Sequence, residues 1–506
     1  MATIKNNAIV WDYTDWLGGL HPQAGVGDPI LFNGFETAIA FNPFRFLGYA
    51  SPGELSADVT NVSVVDSALV AMEYVDSTQR GYAIGGTKIH EFNAVSNTLT
   101  NNIGSGGDYP RTVTGATMED IIRYRVSGTD YLFYSWYDGT DGDIGRLTPG
   151  TDTFDDDYWT AVASGAALKK DVSHPMIVGD DDILYIGNGN VLVSLDGATA
   201  NDNALTLPSQ YEIKSFAKLN NRTLVIFAST NELTTTSTGN VKAFFWDYVN
   251  DDPYKIYDIM GSKAGGAFNF KGSVGVFTIG LSDDPGSNTR NVHLSIFNGS
   301  RFEKINSIEA QTEPSHRGVE VIGEVVYANI EGGVFTFGSP FSGVRTGIQE
   351  IARGTGTTQG LLKTIASGKQ LLSTGTTTSG GLQVLNGGYD TSALKTSFAT
   401  PFYKVGSEGK LTKVRVEFKD SVTGGRSLQL QLLDRDGNIV AQPISDLRTV
   451  EDKKTIKEYT LNSSGTQFST FDALQLLLEW QTGSGSTEAP IIKRVIAYYE
   501  ETNTLI

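Results

Sequence analysis

The sequence contains no cysteine. That excludes disulfides, thiolate metal sites and thiol nucleophiles. Histidine is scarce as well. The five histidines, His21, His90, His174, His293 and His316, are scattered with no H-x-x-x-H or H-x-x-E-H spacing, so no metal set is legible. There is no G-x-S-x-G elbow, no P-loop and no strand–G-x-G-x-x-G–helix unit. The expectation is a protein with no catalytic residues, no bound metal and no cofactor. No apolar run approaches the length of a membrane span, and the start, "MATIKNNAIVWDYTDW", has no apolar segment of a secretory signal. The chain is therefore expected to be made in a cytosol and not to insert into membranes. Charged residues are only 19% of the chain, and their balance is acidic, with a net charge of −18. Such a surface does not wrap a nucleic-acid backbone, so no direct nucleic-acid binding is expected.

Glycine and aromatics are abundant: 57 Gly, 21 Tyr and 25 Phe. Many aromatics with many turn formers favour an all-β protein. Residues 180–197, "DDDILYIGNGNVLVSLDG", form a complete β-hairpin with an acidic turn before it and an Asp-Gly turn after it. Two strands cannot bury a hydrophobic face alone, and similar hairpins recur. Taking Tyr82, Tyr131, Leu184, Leu224, Gly275, Val326 and Leu371 as equivalent, the spacings run from 40 to 53 residues. Several hairpins follow another apolar stretch, such as "SFAKLNNR" from Ser215 and "AFNFKGS" from Ala267. This is the period of a four-stranded propeller blade, and it predicts a β-propeller of about seven blades. An array of sandwiches would lack the longer period, and a solenoid would show shorter, stricter repeats.

The pattern changes near residue 398. In "LTKVRVEFKD", Val414, Val416 and Phe418 alternate with Arg415, Glu417 and Lys419. Leu428, Leu430 and Leu432 recur at every second position, as do Leu474, Leu476 and Leu478. Period-two strands with one polar face predict a small antiparallel β-sandwich or jelly-roll-like domain. The expected organisation is an N-terminal arm over 1–53, a propeller over 54–398 and a sandwich over 399–506, with the boundary cut near Ser397–Gly409. Within the arm, Glu36–Gly53 is a candidate propeller-closing strand. Trp11, Trp16 and Leu20 need cover, from their own domain or from a neighbouring subunit.

The acidic clusters read first as turns. "DGTDGD" brings Asp138, Asp141 and Asp143 together, but its spacing does not meet the ligand pattern of an EF-hand loop. Asp-Gly is ordinary turn chemistry. "SDDPGSNT" from Ser282 matches the Asp-box of sialidase-like propellers at Ser282, Asp284 and Gly286, once and imperfectly. Trp246-Asp247 ends a strand as in WD repeats without recurring. In a meander blade, equivalent turns fall on one face of the ring. The long polar turns Tyr137–Asp143, Ala228–Asn240, Leu281–Asn291 and Thr374–Gly380 are expected there together. Trp136, Tyr137, Asp138, Asp141, Asp143, Asp283 and Asp284 form the candidate recognition face, whose composition suits a glycan or a polar protein surface.

The chain as a whole resembles virion structural proteins of tailed bacteriophages. "FNPFRFLGYASPG" is similar to the entry segment of phage propeller proteins. "FYKVGSEGKLTKVRVEFK" with "GGRSLQLQLLDRDGN" is similar to the sandwich module that often follows them. The resemblance implies a structural component of the tail or an adhesion appendage. Its expected partners are other virion proteins, further copies of itself, and a host surface glycan or receptor. It implies a location in the virion after assembly in the host cytoplasm, and it carries over no functional residue. Two other readings stand beside it. One is a glycan-processing propeller enzyme, a depolymerase, with Asp138, Asp141, Asp283 and Asp284 as its carboxylates. The other is a secreted, lectin-like bacterial adhesin.

Overall fold

The computed structural model describes residues 9–13, 16, 37–39, 54–61, 67–100, 111–113, 115–220, 222–230, 239–281, 290–338, 349–353, 360–365, 369–376, 379–389, 396–400, 403–419, 427–447, 456–460, 471–481 and 490–501. The chain divides into two compact units. One is Ala57–Gly332 with Gly354–Val384; the other is Met1–Ser56 with Gly333–Arg353 and Leu385–Ile506.

Among the described residues, six four-stranded sheets and one six-stranded sheet follow one another along the repeat region. The second to fifth are plain meanders that begin at Thr117, Met176, Glu212 and Lys263 and end at Asp155, Thr206, Ile259 and Glu309. Their middle strands read as continuous apolar runs because both faces are covered. Leu224–Ser229 and Val274–Gly280 are buried at every position. The fourth strands, such as Thr199–Thr206 and Phe302–Glu309, carry exposed polar residues that blunt an open edge.

Apolar clusters join the first five sheets in order and the last sheet to the first, and the sixth touches the fifth and the last through its first two strands. Ala71, Tyr82 and Ile84 of the first sheet pack with Ile121, Leu132 and Tyr134 of the second. Phe133 and Ile144 then meet Leu184 and Ile186 of the third. Tyr185 and Leu192 meet Leu224, Ile226 and Phe244 of the fourth. Val225, Phe227 and Phe245 meet Val274 and Val276 of the fifth. Finally, Leu371, Leu382 and Val384 of the last sheet pack with Met72, Ala83 and Phe92 of the first. Sheets packed in chain order, with the last against the first, make a β-propeller. All seven positions taken as equivalent in the sequence lie on the second strand of their sheets.

Closure differs from the expectation. The strand joining Ser379–Tyr389 of the last sheet is Glu54–Asp58, and the Val59 N–H donates to the Leu382 carbonyl at 2.9 Å. Val59 enters the core shared by the first and last sheets. The described part of Glu36–Gly53, the strand Thr37–Ile39, pairs instead with Thr396–Ala399. "TAI" and "ELSAD" are both short β-prone segments, and propensity alone does not choose between them.

The other unit holds the sandwich. Ile9–Tyr13, Ile492–Glu501, Ile456–Thr460 and the second half of Tyr403–Phe418 form one layer. Thr37–Ile39, Thr396–Ala399, Phe471–Gln481, Ser427–Leu433 and Ile439–Leu447 form the other, and the long strand Tyr403–Phe418 runs into both. The alternating residues read from the sequence meet between the layers: Val414, Val416 and Phe418 from one, Leu428, Leu430, Leu432, Leu474, Leu476 and Leu478 from the other. Tyr13 and Trp16 sit in this same core, with ring centroids 4.6 Å apart. Trp16 lies 5.4 Å from the Phe398 ring and donates its Nε1–H to the Lys493 carbonyl at 3.1 Å. The arm's Trp16 is therefore covered by its own chain. Leu20 and the Trp11 side chain lie outside the described residues. Nor is Ser397–Gly409 a plain linker, since Thr396–Ala399 and the chain from Tyr403 onward are strands of the sandwich.

Candidate ligand pocket at the propeller mouth

The first strands of the sheets line a cavity of about 200 Å³. Its wall includes Met118, Glu119 and Asp120 from the second sheet, Lys214 from the fourth, and Lys263 and Gly265 from the fifth. Glu313, His316 and Arg317 come from the segment before the sixth. Backbone irregularities aim these groups. Met118 pairs with Trp136 and Asp120 with Ser135, so Glu119 is an extra, unpaired residue: a β-bulge. Ile213 pairs with Ala228 and Ser215 with Phe227, which makes Lys214 the bulged residue of the fourth sheet. The fifth sheet shifts register between Ala264 and Ala267. A bulge lets neighbouring side chains share one face, and so Glu119 and Asp120 both reach the pocket. Gly265 is needed at the third irregularity, because a Cβ there would lie 2.6 Å from the Pro314 carbonyl oxygen.

Three cations in this wall each hold a carboxylate. Arg317 clamps Asp120 with Nε–Oδ1 at 2.7 Å and Nη2–Oδ2 at 3.2 Å, and the Met176 N–H donates to Asp120 Oδ2 at 2.7 Å. Lys214 lies 2.7 Å from Glu212 and donates to Ser173 Oγ at 3.2 Å. Lys263 lies 2.7 Å from Glu313. Glu119 is the carboxyl left over, with no cation at contact distance among the described residues. Burial in the channel mouth pushes it up to about 7, although Lys214 pulls the other way. Burial likewise lowers Lys214. It holds the neighbouring His316 neutral, lowered to about 4. A second cavity of about 340 Å³ lies further along the first strands, beside Met72, Met176, Phe216 and Leu362, with His316 and Arg317 in the wall of both.

The residues singled out from the sequence fare differently. Thr117 pairs with Tyr137, so the Tyr137–Asp143 turn leaves at the pocket end of the second sheet. The Tyr137 ring lies 6.4 Å from the His174 ring, and burial first, then the Glu119 charge, raise its hydroxyl pKa. Asp138 is half-buried and accepts the N–H groups of Thr140 and Asp141, which is turn chemistry, and Asp141 is exposed beside it. Trp136 and Asp143 are not surface residues, which corrects their place in the recognition face. Trp136 is 8% exposed and donates to the Asp156 carbonyl. Asp143 is 3% exposed and accepts the Trp159 N–H at 3.0 Å. Asp283 and Asp284 lie outside the described residues, as does most of each turn after Ala228 and Leu281.

The pocket's own groups escaped sequence reading because they share no motif. The signal available was positional: Glu119, Lys214 and Lys263 stand at the start of first strands, ahead of the apolar stretches. Only the pairing register shows which of them are bulged.

The fold defines a β-propeller joined to a β-sandwich. No family model matches the chain, and no curated protein matches it. Among solved structures it is similar to the Dos1 propeller, with 11% identity over 66% of this chain and 94% of that one and a TM-score of 0.40. It is also similar to the extracellular domain of a protein described as a one-component system from B. thetaiotaomicron. There the identity is 12% over 71% of this chain and 43% of that one, with a TM-score of 0.39, so the match spans less than half of that structure.

Proposed function

We propose that this chain is a structural and recognition component of a tailed-bacteriophage virion, in the tail or an adhesion appendage. It acts by assembly with other virion proteins and with copies of itself, and by binding a host surface glycan or receptor without turnover. The observation that carries the recognition half is the preformed pocket at the propeller mouth, whose cations are already clamped by carboxylates. Groups held this way orient a ligand; they are not free to act as nucleophiles or electrophiles. The resemblance of the entry and sandwich segments to phage proteins supports the virion assignment, and a chain that needs no disulfide suits a particle assembled in a cytosol.

A depolymerase remains the second reading, because Glu119, raised to about 7, has the protonation behaviour of a general acid. It would need a second available carboxylate, and Asp120 beside it is occupied by Arg317 and the Met176 N–H. The test incubates the full chain with host surface polysaccharide and follows binding and reducing ends together. Retention without new reducing ends is expected. Turnover that vanishes in Glu119→Gln would make the protein an enzyme. Mass spectrometry of purified particles tests the virion half, and absence of the chain from them would defeat it.

A further inference from the structure

We infer that the propeller-mouth pocket takes one pyranose-sized sugar unit, held through its hydroxyls by Glu119, Lys214 and Lys263 and through its C–H face by Met118 and Pro175. The inference deepens the recognition reading and rests on it only for the biological source of the sugar. Size comes first: about 200 Å³ is room for a single sugar ring. The lining is the second argument. It sets Val70, Met118, Pro175, Ala264 and Pro314 among charged groups, and a sugar ring offers the same mixture of C–H faces and hydroxyls. Charge is the third. Asp120, Glu212 and Glu313 already balance Arg317, Lys214 and Lys263, and Glu119 adds no positive charge, so nothing is left over to hold an inorganic anion. Among the described residues no group of three His, Asp or Glu side chains could hold a metal.

His316 lines the same wall. Its Nε2 faces the Met176 carbonyl at 3.3 Å and Asp120 Oδ2 at 3.4 Å, so the proton of the neutral ring sits on Nε2. Nδ1 is buried away from the cavity, and the ring adds shape to the wall without adding charge. The bulges at Glu119 and Lys214 bend two separate first strands toward the same cavity, which pairing alone does not require.

The five methionines make a direct probe. Met118 lines this pocket, Met72 and Met176 line the other cavity, and Met260 is exposed. The full chain, labelled at the methionine methyl groups, is titrated by NMR with glucose, galactose, glucosamine and N-acetylglucosamine, and with sodium sulfate as an anion control. Saturable movement of Met118 by at least one sugar is expected, with Met260 still. Affinity should fall about tenfold or more in Glu119→Gln, an isosteric change that leaves the fold intact. No movement of Met118 with any sugar, an unchanged response in Glu119→Gln, or a response to sulfate alone would each overturn the inference. A sugar that moves Met118 while host polysaccharide fails to bind would keep the pocket assignment and sink the host-glycan reading.

Discussion

Glu119 shows how one residue's chemistry follows from its position on a bulge. Turned into a channel mouth whose cations are already engaged, it is desolvated with no cation at contact distance, and its folded value rises from the ordinary 4.5 to about 7 although Lys214 pulls it down. The folded state thus binds its proton more tightly than the unfolded chain does between those values. That stability is present at low pH and is lost as pH rises through the folded value. Glu119→Gln cannot take on the charge. Its stability should match the parent near pH 5 and exceed it near pH 8 by on the order of 2 kcal/mol, after discounting for water in the cavity. Glu91 and Asp143, raised by burial to about 7 and about 6, slope the same way, while His174 and His316, lowered by burial to about 4, slope the other. All four are present in both proteins, so the difference between their urea-unfolding curves at the two pH values isolates Glu119. A difference independent of pH would contradict the assignment.

At the scale of elements, Asp143 links a strand to the short helix Tyr158–Val162. The residue in the N-cap position, Asp157, makes no side-chain cap. Asp143 does the capping from across the sheet, accepting the Trp159 N–H at 3.0 Å and the Thr160 N–H at 3.3 Å, together with the Thr160 hydroxyl. The sequence grouped Asp143 with Asp138 and Asp141 because all three share one turn. Burial separates them. Asp143→Ala should cost about 2 kcal/mol, since it strands buried donors, whereas Asp138→Ala should stay within about 1 kcal/mol. Thermal unfolding of the two variants checks this, and equal losses would show that Asp143 has no special role. The repeat itself was legible at this scale, because strands covered on both faces must be apolar throughout. The bulges were not, because a bulge is defined by the register of the partner strand.

At the scale of the whole molecule, the sandwich is made from both ends of the chain. Tyr13, Trp16 and Phe398 complete a core whose other members lie between Leu411 and Ala497. Ile9–Tyr13 also covers one edge of its first layer by pairing with Ile492–Glu501. A fragment 396–506, which keeps Phe398 and its strand, should therefore lack a fixed tertiary structure when expressed alone. It would lose the Trp16 anchor, a deletion that costs about 3–5 kcal/mol in ordinary cores, as well as the bordering strands Ile9–Tyr13 and Thr37–Ile39. Fusing residues 1–40 to that fragment should restore near-ultraviolet circular dichroism and dispersed NMR signals. A bare 396–506 fragment that folds cooperatively would show that the arm is dispensable.

The sequence by itself determined the local alphabet of this protein. Alternation marked the sandwich strands, continuous apolar runs marked the blade centres, and a period of 40 to 53 residues marked the repeat, because each depends only on which faces of a strand must be dry. Tertiary structure alone decided which short segment closes the ring, where Trp16 is buried, and that Glu119, Lys214, Lys263 and Arg317 meet at one mouth. Those outcomes depend on residues hundreds of positions apart arriving at one point, such as Asp120 and Arg317, which are 197 residues apart in the chain and 2.7 Å apart in space. Spacing along a sequence carries no record of that distance, since it is set by the ring's closure and by the register of each first strand within it.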